Sequence, residues 1–203
     1  MNIYRNLLAS LALTATLCLG AANPAEPFDP MAANIEENIA NPPVGEKDSQ
    51  NVAAAMSRLA TSLKGAGYDV DYVRRGEVIM VTLPCSRLFA PNSVSLIPTA
   101  SKLLAPLVPY VNRTDNYKII LAVHSDNTGD EMYSEKITAD RANAIDEYFY
   151  KINGNKDTDI VPYGLGADEP VAPNTGIANR EKNRRVEIYF VPTAELIEKT
   201  KRN

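Results

Sequence analysis

The chain has 203 residues, with 21 Lys and Arg against 25 Asp and Glu, a formal net charge of −4 at pH 7, and 45% hydrophobic residues. That length suits one ordinary domain with appendages, and the composition is globular, neither charged enough nor poor enough in apolar residues for a disordered chain. The acidic balance argues against a nucleic-acid binder, which carries a basic face, and the pair Arg184-Arg185 is too small a patch to reverse it.

Met1 to Arg5 carries one positive charge and leads into an apolar run, Leu7 to Gly20, followed by the small residues Ala21 and Ala22. The run is short for a membrane span, so residues 1–22 read as an export signal, whose removal with Arg5 takes the net charge from −4 to −5. An uncleaved anchor is the alternative. Cys18 raises lipid attachment as another, against which stands Leu17, where lipoprotein signals carry a small residue. Beyond residue 22, Cys85 is the sole cysteine, so no internal disulfide staples the fold. It follows an apolar run and reads as a buried, inert thiol, the alternative being a thiol that pairs between chains. Residues 23–44, rich in Pro, Ala, Asn and Glu without sustained periodicity, read as a flexible spacer: a tether, or simply a disordered terminus.

Residues 45–76 form a lead-in of helix and strand. Val52, Met56, Leu59 and Leu63 step by four, three and four, predicting an amphipathic helix that Gly65-Ala-Gly67 closes. Tyr68 to Val73 alternates polar and apolar residues, and Arg75-Gly76 turns it into the apolar run ending at Leu83, a hairpin. Pro91-Asn92-Ser93 is a turn in its composition. A helix from Pro98 to Val111 follows, with Pro106 and Pro109 placed to kink or stop it. Ile119 to His124 reads as a buried strand ending in the turn Asp126-Asn-Thr-Gly129. Glu131 to Lys151 is a long amphipathic helix whose stripe includes Ile137, Ile145, Tyr148 and Ile152, with Arg141 in its middle. A guanidinium on that stripe needs a partner, since burying an unpaired charge is costly, and Asp126 is the candidate. Ile160 to Gly164 is a short strand whose Pro162 suits an edge or a strand start. Residues 166–182 form a loop, Val186 to Val191 the last strand, and 194–203 a charged tail that continues as a short helix.

Strand and helix in alternation predict an α+β fold: a two-layer α/β sandwich, a βαβαβ-type mixed sheet with helices on one face, preceded by a helix and hairpin. Parallel neighbours are expected, with the final strand returning antiparallel beside them. No catalytic constellation is visible. His124, Ser125 and Asp126 are triad residue types, but adjacent strand residues point to opposite faces and cannot form the relay. One histidine and no cysteine pair make a zinc site untenable, and Gly164-Leu-Gly166 lacks the lysine and hydroxyl of a phosphate loop, so neither metal nor cofactor is expected.

Four stretches in order, Val123-His-Ser-Asp126-Asn-Thr-Gly129, Ile137-Thr-Ala-Asp-Arg141-Ala142, Gly164-Leu-Gly-Ala-Asp-Glu-Pro170-Val-Ala-Pro-Asn174 and Asn183-Arg-Arg185-Val-Glu-Ile188, resemble the OmpA C-terminal-like domain, here spanning 77–193. The resemblance implies a non-catalytic periplasmic domain, possibility of outer-membrane association included, that binds the diaminopimelate of the peptidoglycan stem peptide. It implies that Asp126 accepts the ligand's ammonium and Arg141, fifteen residues on, grips its carboxylate, as charge-assisted bonds permit. Arg184 would add a second carboxylate contact and Asn92 a polar one. Backbone amides around Asn127 and Thr128 would favour the same anionic group. Two positions depart from the family: Val123 stands where glycine is usual, and Ser134 where asparagine is, keeping a hydrogen-bonding group with a shorter reach. The partner so implied is peptidoglycan, beside envelope proteins and without nucleic acid; membrane attachment stays open. The alternatives are a docking module of the same fold that does not bind wall, and a plain Asp126–Arg141 salt bridge with Arg184 and Arg185 on a solvated face.

Overall fold

A computed structural model describes residues 28–154 and 159–202. The export signal read at 1–22 lies outside the described residues, as do residues 23–27 of the expected spacer. No helix among the described residues is long and apolar enough to cross a membrane.

The chain enters with α1 (Ile35–Ala40) and α2 (Glu46–Gly65). Val52, Met56, Leu59 and Leu63 are the buried stripe of α2, as their spacing predicts. β1 (Asp69–Val73) and β2 (Val78–Pro84) pair antiparallel as the expected hairpin. Between residues 98 and 111 the two prolines break the expected helix into one-turn pieces: a 3-10 turn over 98–100, α3 (Ser101–Leu104), a second 3-10 turn over 105–107, and α4 (Val108–Val111). Then come β3 (Tyr117–Val123), α5 (Glu131–Ile152), β4 (Ile160–Gly164), α6 (Gly176–Asn183), β5 (Arg185–Pro192) and α7 (Ala194–Lys201).

The five strands form one mixed sheet in the order β1-β2-β5-β3-β4. β3 and β4 are parallel across the α5 crossover, while β5 runs antiparallel to both β2 and β3. The last strand therefore lies between β2 and β3, which are not the neighbours that simple alternation suggested. That insertion puts Arg184, just before β5, beside Asp126, just after β3, since Val186 is registered with Val123. β4, with Pro162, takes the edge.

One face of the sheet packs on α2, the short helices, α5 and α7, with Phe149, Phe190, Met56, Leu63 and Ile145 among the fully buried side chains. Each such aliphatic or aromatic side chain contributes about 1.5–3 kcal/mol of transfer free energy. In α5 the buried stripe is Ile137, Arg141, Ala142, Ile145 and Phe149, whereas Ile152, expected to face inward, is 48% exposed.

The other face is covered too. The expected spacer contains α1, whose start is a reciprocal cap: Glu37 N donates to the Asn34 side chain and Asn34 N to the Glu37 carboxylate. Ile35 and Ile39 pack on Met80, Ile120, Ala122 and Tyr189. Buried Asn38 donates to Pro30 O (2.7 Å) and to the Tyr163 hydroxyl (2.6 Å). Lys118, buried on β3, donates to Asn38 O (2.8 Å), Asn38 Oδ1 (3.0 Å) and Asn41 O (2.9 Å), so the strap closes the orphan carbonyls at the end of α1 with a strand lysine. The described part of residues 23–44 is thus packed structure.

Candidate functional site

The site lies where the C-terminal end of β3, the first turn of α5, the loop 88–97 and the segment leading into β5 meet. Asp126 ends the β3 segment and is 3% exposed. Its Oδ1 accepts from Thr128 N at 2.7 Å, a local turn that Asp favours, and its Oδ2 accepts from Arg184 Nη1. Burial works to raise the Asp126 pKa, but the bonds from Thr128 and Arg184 outweigh it and hold the carboxyl below its ordinary value. Arg184 splits its guanidinium fork: Nη2 donates to Glu181 Oε2, one helical turn earlier in α6. The second Glu181 oxygen accepts from Ser86 Oγ at 2.5 Å, and this bond, more than the neighbouring guanidinium, lowers the Glu181 pKa.

The Asp126–Arg141 salt bridge of the alternative reading does not form. Arg141 is 7% exposed, and its Nε donates to Ser93 O (2.9 Å) and its Nη2 to Ala90 O (3.5 Å). The guanidinium also lies 5.0 Å above the Phe89 ring, a cation–π contact. Backbone carbonyls and an aromatic face, none visible as charges in the sequence, are its partners. Arg141 and Arg184 each lower the pKa of the Cys85 thiol, against the larger effect of burial, which pushes it up to about 11.

Asn92 sits exposed at the tip of its loop in a left-handed conformation (φ 55°), its side-chain oxygen accepting weakly from the Tyr133 hydroxyl at 3.4 Å. Asn127 and Thr128 are exposed, but their amides are engaged: Thr128 N by Asp126, and Asn127 N, at the 3.5 Å limit, by Asn174 Oδ1. The start of α5 is capped by Asp130, which accepts from Tyr133 N at 2.8 Å. The anion-greeting amides expected at this helix start are therefore already satisfied. Ser134 is 4% exposed and donates to Glu131 O at 2.8 Å, so its hydroxyl turns into its own helix and away from the opening. Arg185, which the alternative reading placed on a solvated face, is buried on the strand, donating to Glu187 (2.6 Å) and to Glu169 O (3.0 Å). His124 Nε2 lies 3.4 Å from a Glu187 oxygen without a hydrogen bond to it. Burial alone would raise the Glu187 carboxyl; His124, Arg185 and the Tyr189 hydroxyl bring it down to about 2.

Residues that sequence reasoning passed over complete the rim. Asn183, fully buried, holds the preceding loop by pairing with both Ala172 N and Ala172 O at 2.9 Å and with Asn174 Oδ1 at 2.7 Å. Glu181 was legible through its i, i+3 spacing to Arg184 on a helix; Ser86 carried no signal. Among the described residues no group of three or more His, Cys, Asp or Glu side chains is placed to hold a metal ion. A separate open groove of about 560 Å3 runs between α5 and the end of β4, lined by Glu135, Lys136, Ala139, Gly164, Asp168 and Glu169. It contains none of the seven residues singled out from the sequence.

Residues 88–184 match the OmpA family. The chain carries an OmpA-family domain. This domain is similar to the outer-membrane lipoprotein YfiB of Pseudomonas aeruginosa, 36% identical over 101 residues that make up 50% of this chain and 60% of that protein. It is also similar to the peptidoglycan-binding protein ArfA of Mycobacterium tuberculosis, 31% identical over 100 residues, 49% of this chain and 30% of that protein. The match thus spans less than two thirds of either relative. Among solved structures, the cell wall anchor of the type VI secretion system (T6SS) from Pseudomonas aeruginosa superposes with a TM-score of 0.54 at 25% identity, covering 68% of this chain and 96% of that one. The matched residues 88–184 include β3, α5, β4, α6 and all seven residues of the candidate site; α1, α2, β1 and β2 precede them and β5 follows.

Proposed function

We propose that this protein binds peptidoglycan without catalysis, through the diaminopimelate of the stem peptide, and so tethers an envelope component to the cell wall in the periplasm. The observation that carries the reading is the pairing of Asp126 with Arg184 across the ends of β3 and α6, on a domain similar to a protein named as peptidoglycan-binding. A ligand ammonium takes the Asp126 oxygen that Arg184 now occupies, and the guanidinium released meets the ligand carboxylate. Charge-assisted bonds of this kind are worth about 1.5–3 kcal/mol each. Arg141 holds the loop that carries Asn92 through its bonds to Ala90 O and Ser93 O. The relatives' names support export to the envelope and wall anchoring as the setting for this chain.

A second reading, a docking module that has lost wall binding, is favoured by one fact: Asp126 is covered, and its ion partner is already in place. Sedimentation with purified sacculi separates the two. The wild-type chain is expected to pellet with the wall, and Asp126→Ala and Arg141→Ala variants of unchanged circular dichroism to stay in solution. Equal behaviour of all three supports docking, and soluble muropeptides accumulating with time would overturn the non-catalytic reading.

A further inference from the structure

We infer that Glu181 is a positioning residue for ligand capture: it keeps Arg184 paired while an incoming ammonium takes Asp126. This deepens the reading above and rests on it. The backbone of Arg184 is fixed at both ends, its N donating to Arg180 O and its carbonyl accepting from Cys85 N, each at 3.0 Å. Only its head is free to move, and the side chain is 32% exposed. Asp126 is fixed in turn by Thr128 N, so an ammonium reaches Oδ2 only by displacing Nη1 of Arg184.

A guanidinium stripped of its carboxylate in a half-buried setting would resist that exchange. Glu181 removes the resistance. It holds Nη2 throughout, and its own orientation is set from a different element by Ser86, in the turn after β2. The edge bearing Nη1 is then released towards solvent, ready for a carboxylate. Charges stay paired at each stage: Asp126 trades a guanidinium for an ammonium, and Arg184 trades Asp126 for the ligand carboxylate. The ligand class selected is one with both groups on a single carbon. A simple amine that displaced Nη1 would leave it without a carboxylate, so the exchange does not proceed, and a simple carboxylate has no means of opening the clasp.

Calorimetric titration of the full chain with meso-diaminopimelate, pimelate and cadaverine tests this. Wild type is expected to bind the first and neither of the others. Glu181→Gln is expected to weaken diaminopimelate binding about tenfold, by leaving Arg184 committed to Asp126. In an Arg184→Ala background the same change is expected to have no further effect. In the ligand-free chain, carbon-13 titration of the Asp126 carboxyl is expected to move to lower pH in Glu181→Gln. An affinity within twofold of wild type, the same loss in both backgrounds, or an unmoved Asp126 titration overturns the role of Glu181. A wild-type chain that binds neither diaminopimelate nor sacculi overturns the reading beneath it.

Discussion

Replacing Gly164 by alanine is expected to be among the costliest single-methyl additions in this protein. A Cβ at that position would lie 2.2 Å from Ala139 N, 2.5 Å from Ala139 Cα and 2.8 Å from Ala139 Cβ. Ordinary contact begins near 3.4 Å, so α5 and the end of β4 must part by roughly 1.2 Å. Neither side yields easily, because the atoms in the way are helix backbone and α5 is held by Ala142, Ile145 and Phe149 in the core. Overpacking of this kind costs about 1–3 kcal/mol, and backbone obstruction puts Gly164→Ala at about 3 kcal/mol or above. At about 2–4 °C per kcal/mol for a domain of this size, the melting temperature is expected to fall by about 6–12 °C. Urea unfolding followed by far-ultraviolet circular dichroism measures it, with Gly65→Ala, where nothing lies within 4 Å, as the unstrained control. Adding Ala139→Gly should not rescue the variant, since it removes only the most distant of the three obstructing atoms. A Gly164→Ala chain within about 0.5 kcal/mol of wild type would refute the reasoning.

Asn183→Ala breaks three bonds at a fully buried side chain and is expected to cost about 2–3 kcal/mol by urea unfolding, with the loop at 172–175 losing hydrogen-exchange protection first. Asn38→Ala removes the bonds to Pro30 O and Tyr163 and one of three acceptors of Lys118; limited proteolysis should then cut within residues 28–43 at protease levels that spare wild type. Asp126, against the pull of burial, and Glu181, chiefly through Ser86, have folded pKa values below ordinary. Their contribution is therefore complete above unfolded-state values of about 3.9 and 4.3 and is lost as pH falls through the lower folded values. Sacculus binding is expected to be flat from about pH 7 to 5 and to fail only below about pH 4; a decline centred near pH 6 would contradict the assignment.

Much of the fold is readable because it rests on periodicity. The α2 stripe, the hairpin, the β3 run and the edge position of β4 each follow from spacing or from a proline. The placement of β5 between β2 and β3 does not, because strand order depends on which edges remain open when β5 arrives, a property of the assembled sheet. α1 was missed because six residues are too few to show a period, although Asn34 and Glu37 at cap spacing with Ile35 and Ile39 were present to be read. At the site the residues were identifiable but their partners were not. Arg141 demanded partners, and charge logic pointed to Asp126; the loop carbonyls of Ala90 and Ser93 accept its bonds instead, and every residue has a carbonyl. Ser134 looked like a shortened asparagine, yet a serine near a helix start bonds its own turn.

Cys85 has a consequence of its own. Its thiol is sealed at the end of β2 with Sγ 3.9 Å from His124 O, and at pH 8 only about one molecule in a thousand would carry the reactive thiolate. Alkylation by a small reagent therefore waits for the sheet to breathe, and the labelling rate becomes a clock for that opening. Because Arg184 O accepts from Cys85 N, a molecule seated on the clasp steadies the very edge that must part, and the clock is expected to slow as the seat fills. The alkylation rate of Cys85 is thus expected to report occupancy of the site without any engineered probe.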